Sequence, residues 1–579
     1  MKKTSLLIMS LAVLVAANAT AQSNEKDWHH GQIRHVLLIS VDGMHAVDFR
    51  NCSQGIAGVN GGAPFCPNLA ALATTGVNYV GASTSKPSDS FPGLMAIVTG
   101  ATPRTMGIYY DVSYDRSLDA PAKTTGNGLA AGPCTPGAAP TGTTTEYEEG
   151  IDLDQTKVNG GAGGVGLTDG GISSIDSKRL VRDPKNNCYP VWPWNFVRTN
   201  TIFSVIHEAG GYTAWSDKHP AYSAVAGPNP LGAGALDDFY APEINSSVIG
   251  LPGVSTPEGV SCATIRDPGS DLTAWTNSFE NIQCYDTLKV NAIVNEIDGR
   301  THDGKKAQTP TIFGMNFQAF SVGQKLIEKS NATTGGYLDG IGTPTPALLS
   351  EIQFVDASIG EMATQLKARG LMSSTLIVIS AKHGQSPVDS SRYTPITTTG
   401  PVTTSPATIL GTAGCLPYSE SPLNPTGLGP TEDDVSLVWL NSSCTTASAV
   451  GMLETQSPAT ANIAGIGQIF WGMGIVQLLN PPGLPPTADP RTPDILVTPN
   501  IGVTYSSSSK KLAEHGGFAH DDVNVMLLLS NPGFQATNVT GPVQTLQIAP
   551  TILEALGLNP NSLEAVQKEN TPVLPGVSF

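Results

Sequence analysis

The segment Ser90-Phe91-Pro92-Gly93 offers a hydroxyl where it could act as a nucleophile. A proline suits the first turn of a helix, so Ser90 is predicted to stand at a helix N-terminus. The positive end of the helix dipole there would stabilise an alkoxide and the phosphoryl group that it attacks. Taken alone, the four residues fit a structural N-cap serine better, so the catalytic interpretation depends on the rest of the chain.

Other side chains able to do chemistry follow apolar runs of the sequence. Asp42 comes directly after such a run, Asn316 and His383 come two and three residues after the ends of two others, and His515 stands in a loop. Carboxylate, amide and imidazole groups can ligand a divalent cation. An isolated Asp42 is better explained as the cap of a following helix, so the cation site is a prediction about the four residues together.

The elements that must position these groups can be read from hydrophobic patterns. Nearly unbroken apolar, β-branched runs occupy 35–41, 309–314, 374–380, 494–497 and 524–530, as in strands buried on both faces. Between them, 346–370 repeats apolar residues every three or four positions, which predicts a helix ending at Gly370. The alternation predicts an α/β fold with a mainly parallel central sheet, helices on both faces and a ligand site at the carboxyl ends of the strands.

Five segments resemble, in the same order, those of a known enzyme family: 90–108, 356–384, 491–497, 515–517 and 548–557. The family is the type I phosphodiesterase/nucleotide pyrophosphatase family of the alkaline phosphatase superfamily. The resemblance implies an alkaline-phosphatase-like sandwich in which Ser90 takes the place of a Thr or Ser that is transiently phosphorylated. It also implies a phosphoester hydrolase acting on phosphodiester or nucleotide-like substrates.

The resemblance implies a reduced metal site. One ion of the relatives would be held here by Asp42, Ser90 and His383, but Lys382 stands where a further aspartate is expected. We therefore expect one divalent ion, a zinc ion. Lys382 is expected to face the pocket and to offset the negative charge of the substrate, as a buried ammonium group can.

The second ion of the relatives has fewer ligands left. Asn316 occupies the position of an aspartate, with only its carbonyl oxygen to offer, and Phe320 occupies that of a histidine and cannot bind a metal. Only His515 is retained. The second site is therefore expected to be weak or absent.

Three further residues are candidates for substrate binding. The segment 211–219 is similar to a sulfatase segment that carries anion-binding residues, which suggests this role for Lys218 and His219. Asp111 lies where pyrophosphatase relatives carry an asparagine that donates to the phosphoryl group. A turn residue without a role in binding explains Asp111 equally well.

Composition limits the partners. The formal net charge of -17 excludes a long nucleic acid, because binding to its phosphate backbone requires a basic surface. A local cationic pocket can still bind a small anionic ester. No stretch is apolar and long enough to span a membrane, and the oligomeric state is not determined by the sequence.

The N-terminus and the cysteines point to export. Residues 1–21 carry two lysines, an apolar run and Ala19-Thr20-Ala21, which predicts a signal peptide cleaved before Gln22 and a periplasmic or secreted protein. The eight cysteines lack metal-binding spacing and are expected to form disulfides. Cys52 with Cys66, Cys262 with Cys284, and Cys415 with Cys444 are candidate pairs because they are neighbours in the sequence.

The predicted organisation is one catalytic domain over 32–579, with loop-rich insertions at about 121–171 and 385–469. Two other functions remain open. A protein whose metal site has decayed could bind an anion without catalysis, since a fold does not prove activity. A sulfatase-like ester hydrolase is disfavoured, because Ser90 lacks the sequence context of sulfatase nucleophiles.

Overall fold

The structure is a computed structural model that describes residues 32–126, 128–147, 171–229, 232–246, 248, 250–266, 275–417, 431–456, 461–480 and 489–579. The predicted signal peptide, 1–21, and its cleavage point lie outside the described residues. So does much of the predicted insertion at 121–171.

Twelve of the described strands form the two larger sheets. They are β1 (His35–Val41), β2 (Gly76–Tyr79), β3 (Ala214–Ser216), β4 (Asp238–Tyr240), β5 (Ile312–Phe317), β6 (Thr375–Ser380), β7 (Thr431–Glu432), β8 (Ser436–Val438), β9 (Ile466–Trp471), β10 (Ile495–Pro499), β11 (Leu527–Ser530) and β12 (Thr537–Val539). Shorter strands pair in twos: Ala82–Ser83 with Val543–Gln544, Val112–Asp115 with Thr143–Glu146, Arg182–Asp183 with Tyr189–Pro190, Ile327–Glu328 with Thr333–Thr334, and Thr394–Pro395 with Val503–Thr504.

The central sheet has eight strands in the order β12-β2-β11-β6-β1-β5-β3-β4. Within this sheet only β11 runs against the others, pairing antiparallel with β6 and β2. The predicted mainly parallel sheet is therefore confirmed. Strand β5 begins three residues later than the apolar run at 309–314 indicated, and it ends at Phe317.

The helices of the described residues are α1 (Ala46–Gln54), α2 (Pro67–Ala73), α3 (Ser90–Thr99), α4 (Pro103–Met106), α5 (Pro193–Phe196), α6 (Ile202–Glu208), α7 (Phe279–Ile297), α8 (Ala319–Lys325), α9 (Pro346–Ala368), α10 (Pro406–Thr412), α11 (Thr446–Glu454), α12 (Met473–Leu479), α13 (His520–Val523), α14 (Ile548–Ala555) and α15 (Glu564–Glu569). Successive side chains of a strand point to opposite faces. Accordingly Val36 and Leu38 of β1 join the core containing α3, α6 and α14. Leu37 and Ile39 join the core containing α2, α7 and α9, so helices cover both faces as predicted.

A second sheet corrects one prediction. Strand β10 covers the apolar run at 494–497, but it lies in a separate antiparallel sheet of four strands in the order β7-β8-β10-β9. The apolar run indicates a strand that is buried on both faces, and a strand of either sheet can be buried in this way. The region 385–469, predicted to be loop-rich, contributes three strands of this sheet and helices α10 and α11, which share a hydrophobic core with β10.

The covalent links agree with the expected oxidising compartment. Disulfides join Cys52 to Cys66, Cys262 to Cys284 and Cys415 to Cys444, as predicted. A fourth joins Cys134 to Cys188. Among the residues that the structure describes, no helix has the length and apolar character needed to cross a bilayer.

Candidate active site

Ser90 is the first residue of α3, and its side chain is fully buried at the carboxyl edge of the central sheet. Its Oγ lies 3.0 Å from Nε2 of His383 and 3.1 Å from Nζ of Lys218. The hydroxyl therefore meets an imidazole nitrogen and an ammonium group at the positive end of a ten-residue helix.

Gly93 explains how α3 reaches this position. A Cβ on Gly93 would lie 2.0 Å from the carbonyl oxygen of Lys382, closer than any non-bonded contact allows. The first turn of α3 consequently packs directly on the backbone that follows β6. This close approach brings Ser90 beside His383.

Asp42 follows β1 and is fully buried among donors. Its Oδ2 accepts hydrogen bonds from Nε2 of Gln318 at 2.5 Å and from Nδ2 of Asn316 at 3.2 Å. His383 Nε2 and Lys218 Nζ lie 3.7 and 3.9 Å away. Burial alone would raise the pKa of Asp42, but the positive charges of Lys382, His383 and Lys218 outweigh it and hold the pKa well below its usual value.

The backbone fixes which nitrogen of His383 faces the nucleophile. Nδ1 lies 2.7 Å from the carbonyl oxygen of Gly384, which can only accept, so Nδ1 carries the proton in this hydrogen bond. Nε2 of the neutral ring then presents a lone pair toward Ser90. That lone pair can accept a proton or bind a metal ion, but not both at once.

Lys382 does not contact Ser90, which corrects the expectation that its ammonium group faces the pocket. Nζ donates to both oxygens of Asp217, at 2.9 and 3.1 Å, and lies 3.9 Å from the ring centre of Tyr222. Both members of the ion pair are completely buried. Lys382 instead contributes through its charge, as one cause of the lowered pKa of Asp42.

The predicted substrate residues Lys218 and His219 follow β3 but have different surroundings. Lys218 contacts Ser90, whereas Nδ1 of His219 lies 2.9 Å from both carboxylate oxygens of Glu243. The His219 side chain is 3% exposed, so it belongs to a buried pair beside the site. Of the two, only Lys218 is brought to the nucleophile.

The turn of Asn316 is held by a buried ion pair on α7. Lys289 Nζ lies 2.9 Å from Asp286 and donates to the carbonyl oxygen of Asn316 at 2.5 Å. Asp286 also accepts from the backbone N–H groups of Gln318 and Ala319 at the start of α8. Lys289 and Asp286 thus position Asn316 and Gln318, the amide donors to Asp42.

Phe320, which stands where a ligand was expected in the relatives, is completely buried in the hydrophobic core on the α7 side of the sheet.

His515 and Asp111 surround Asp89, the residue before Ser90. His515 Nδ1 lies 3.3 Å from Oδ1 of Asp89, and its ring centre is 4.0 Å from that of His383. The backbone N–H of Asp111 donates to Oδ2 of Asp89 at 2.8 Å. Burial, followed by the charge of His383 and those of nearby lysines, lowers the pKa of His515 well below its usual value.

Sequence reasoning did not single out Asp217, Gln318, Asp286 or Lys289. Asp217 carried a usable signal, because it directly follows a strand and precedes Lys218. Asp286 and Lys289 lie one helical turn apart on α7, a spacing that is common on solvated helices. The sequence gives no sign that this pair is buried.

The donor atoms can be tested against the metal that the resemblance implies. Ligands about 2.1 Å from one zinc ion stand roughly 3.4 Å apart at a tetrahedral angle. His383 Nε2 lies at comparable distances from the other two atoms, 3.0 Å from Ser90 Oγ and 3.7 Å from Asp42 Oδ2. Oδ1 of Asp42 is buried and has no hydrogen-bond partner among the described residues. These atoms fit one ion.

They do not fit a second ion. Lys382 is committed to Asp217, and Phe320 offers no donor. Within the described ranges, no group of three or more His, Cys, Asp or Glu side chains could hold a metal, so the single site depends on the Ser90 hydroxyl. Lys218 adds a positive charge at the same place.

Two segments of the chain match a known protein family. The family described as type I phosphodiesterase/nucleotide pyrophosphatase matches residues 36–142 and 301–402, which include Asp42, Ser90, Asn316 and His383. No protein of the curated set matches the sequence.

Two solved structures are similar over most of the chain. Murine ectonucleotide pyrophosphatase/phosphodiesterase 5 is 12% identical, with 91% of this chain and 95% of that chain covered and a TM-score of 0.50. The alkaline phosphatase PafA is 14% identical, with 91% and 96% covered and a TM-score of 0.50. At these identities the likeness establishes the fold only. The two matched segments make this chain similar to the type I phosphodiesterase/nucleotide pyrophosphatase family, and the solved structures show that it has an alkaline-phosphatase-like fold.

Proposed function

We propose that this protein is a phosphoester hydrolase in which Ser90 is the nucleophile, acting on small anionic phosphodiester or nucleotide-like esters. The observation that carries the proposal is the position of the Ser90 hydroxyl, 3.0 Å from Nε2 of His383 and 3.1 Å from Nζ of Lys218. A hydroxyl between a lone pair and an ammonium group, at a helix N-terminus, can lose its proton and keep the resulting charge stabilised.

In the first step the Ser90 oxygen attacks phosphorus and the bond from phosphorus to the leaving alcohol breaks, giving a phosphoserine. Nε2 of His383 takes up the hydroxyl proton when no ion is bound to it. Lys218 offsets the charge on the serine oxygen and on the phosphoryl oxygens. Water then cleaves the phosphoserine and releases phosphate or a phosphate monoester.

The proposed cofactor is one divalent ion, with zinc as the metal, held by Asp42, His383 and the Ser90 oxygen. Such an ion would supply a Lewis acid beside the nucleophile. Lys382, Asn316 and Phe320 in place of ligands make a second ion weak or absent. His515 is assigned to the edge of the site rather than to an ion of its own.

The proposal includes location and processing. We propose that the chain is exported through a signal peptide spanning 1–21 and acts in the periplasm or outside the cell as one catalytic domain over 32–579. The four disulfides support an oxidising compartment. Mass spectrometry of the native protein tests the processing, and a retained Met1 would refute it.

The function is tested with Ser90→Ala and three chromogenic nitrophenyl esters: a phosphodiester, a phosphomonoester and a sulfate. We expect wild type to cleave the phosphodiester best and Ser90→Ala to lose at least about 1000-fold in kcat/KM. Ser85→Ala is the matched control, because Ser85 is a buried neighbour whose hydroxyl donates to the Pro87 carbonyl oxygen. It should keep near wild-type activity.

Acid quenching during turnover should trap a phosphoryl group on Ser90, which peptide mass spectrometry detects. Equal activity of Ser90→Ala and wild type would refute the proposal. Preference for the sulfate ester would favour the sulfatase-like alternative. Binding of phosphate without turnover of any ester would favour an anion-binding protein without catalysis.

A further inference from the structure

A cavity of about 430 Å³ is lined by three lysines, on elements that also carry residues of the candidate active site. Lys325, the last residue of α8, forms one wall, and the loop 507–511, which contains Lys510 and Lys511, forms another. The two walls are joined by backbone hydrogen bonds, from Ile327 N to Lys510 O at 2.8 Å and from Leu512 N to Lys325 O at 2.9 Å. The backbone therefore holds the three lysines together.

Both walls continue directly into the site. Gln318, the N-cap of α8, donates to Asp42, and Lys325 ends the same short helix. Lys511 precedes His515 by four residues.

The candidate site has little exposure to solvent. The Lys218 and His515 side chains are 9% and 13% exposed, whereas Ser90 is completely buried.

The cavity carries positive charge without matching negative charge. Lys511 pairs with Glu514. Neither Lys325 nor Lys510 forms an ion pair in the part of the chain that the structure describes. Burial, and then the charge of Lys511, lowers the pKa of Lys325, although the charges of Glu514 and Asp42 act in the opposite direction. In a chain of net charge -17, this local arrangement is suited to an anion.

We propose that the cavity binds a second anionic group of the substrate, a phosphate, sulfate or carboxylate carried by the alcohol of the ester. The inference rests on the proposed function, because it defines which phosphoesters that site prefers. Lysine ammonium groups and the hydroxyls of the loop 507–509 would donate to the second anion. A volume of about 430 Å³ accommodates such a group together with part of the chain that bears it.

A matched pair of substrates tests the preference. One is nitrophenyl propyl phosphate, and the other is the same diester with a terminal phosphate on the propyl chain. We expect kcat/KM to be at least about tenfold higher for the second substrate, chiefly through a lower KM, since a charge-assisted contact is worth about that factor. Lys325→Met and Lys510→Met should each reduce this ratio, and the double variant should bring it near one.

Lys306→Met is the control, because Lys306 is an exposed lysine outside the cavity, and it should leave the ratio unchanged. An unchanged ratio in the Lys325→Met/Lys510→Met double variant would overturn the proposal. Retained Tm in the variants excludes misfolding as the cause of any loss. A terminal carboxylate or sulfate in place of the terminal phosphate then identifies which anion is preferred.

Binding to Ser90→Ala separates this proposal from the hydrolase proposal. Calorimetry would compare propyl phosphate with propane carrying a phosphate at each end. Tighter binding of the bisphosphate that disappears with Lys325→Met supports the cavity even if wild type hydrolyses nothing, an outcome that would overturn only the proposed function. Equal affinities, together with equal kcat/KM values for the two diesters, would overturn the cavity proposal and leave hydrolysis standing.

Discussion

The two halves of the site differ in what they retain. On the Ser90 side, the hydroxyl lies 3.0 Å from Nε2 of His383, and that nitrogen lies 3.7 Å from the carboxylate of Asp42. On the Asn316 side, an amide and a buried phenyl ring occupy the turn that follows β5. The first half retains Asp42, Ser90 and His383, which we propose as the donors to one cation, and the second half retains no comparable set.

Two lysine ammonium groups, those of Lys289 and Lys325, belong to the helices near the Asn316 side. Lys289 supports the turn from α7, and Lys325 closes α8 at the lysine-lined cavity. An ammonium group supplies positive charge but no open coordination position. This side therefore keeps positive charge without a ligand set, and the charge of Lys289 is already paired with Asp286.

The largest loss of metal and of activity should follow from replacing a proposed ligand on the Ser90 side of the site. Purified protein should contain about one divalent ion per chain, as the available ligands imply. Asp42→Ala should release it and lower kcat/KM by about 100-fold to 1000-fold, because the charge that balances the site is lost. Elemental analysis and phosphodiester kinetics measure both.

Asp119→Ala is the control for Asp42→Ala, since Asp119 is a buried carboxylate that accepts from Thr141 instead. The Asp119→Ala variant should keep the bound ion. Two equivalents of metal in the wild type would show that the Asn316 side binds an ion after all. Wild-type protein without any bound metal would favour an anion-binding protein without catalysis.

Replacing Lys218 should mainly lower activity, whereas replacing Lys382 should mainly lower stability. Lys218→Met should lower kcat by about 100-fold with a small change in stability, because Asn316 and Gln318 still donate to Asp42. Lys382→Met leaves the buried carboxylate of Asp217 unpaired and should lower the free energy of unfolding by about 3–5 kcal/mol. Denaturant unfolding and steady-state kinetics separate the two effects.

Adding Asp217→Asn to Lys382→Met should recover much of the lost stability, because it removes the unpaired charge. Lys382→Asp restores a ligand of the relatives but places two carboxylates together. It should therefore be stable only with bound metal. Normal stability of Lys382→Met would show that Asp217 does not depend on this ion pair.

The close packing behind Ser90 gives a smaller effect. Gly93→Ala should cost about 1–3 kcal/mol of stability and displace Ser90, since the new Cβ would meet the carbonyl oxygen of Lys382. Gly451→Ala in α11 is a matched control, because a Cβ there meets nothing within 4 Å. It should stabilise the protein slightly. Equal Tm values for the two variants would contradict the close approach of α3.

Much of the fold, and the cation side of the site, could be predicted because the signals are local. One apolar run ends directly before Asp42 and another ends three residues before His383, and a proline soon after Ser90 marks the start of α3. The strand at 494–497 was assigned to the wrong sheet because apolarity records burial and not partners. The direction of Lys382 could not be predicted, since Asp217 is 165 residues away. The lysine cavity likewise joins Lys325 to a distant loop.

The smallest expected effect is a change in how stability depends on pH. It concerns His515, where the two halves meet. Its pKa in the folded protein is lowered well below 6.5, first by burial and then by His383 and nearby lysines. Between that pKa and about 6.5, the unfolded chain binds a proton that the folded chain does not, so stability falls as pH falls below about 6.5.

The loss should reach at most about 1.4 kcal/mol per pH unit, and His515→Gln should remove it from the profile of Tm against pH. Lys325→Met should remove only part of it, because burial and the His383 charge still lower the pKa of His515. Lys306→Met should leave the profile unchanged. If His515→Gln and wild type lost Tm equally between about pH 7.5 and 5.5, the proton uptake would belong to another group and His515 would not link the lysine cavity to the nucleophile.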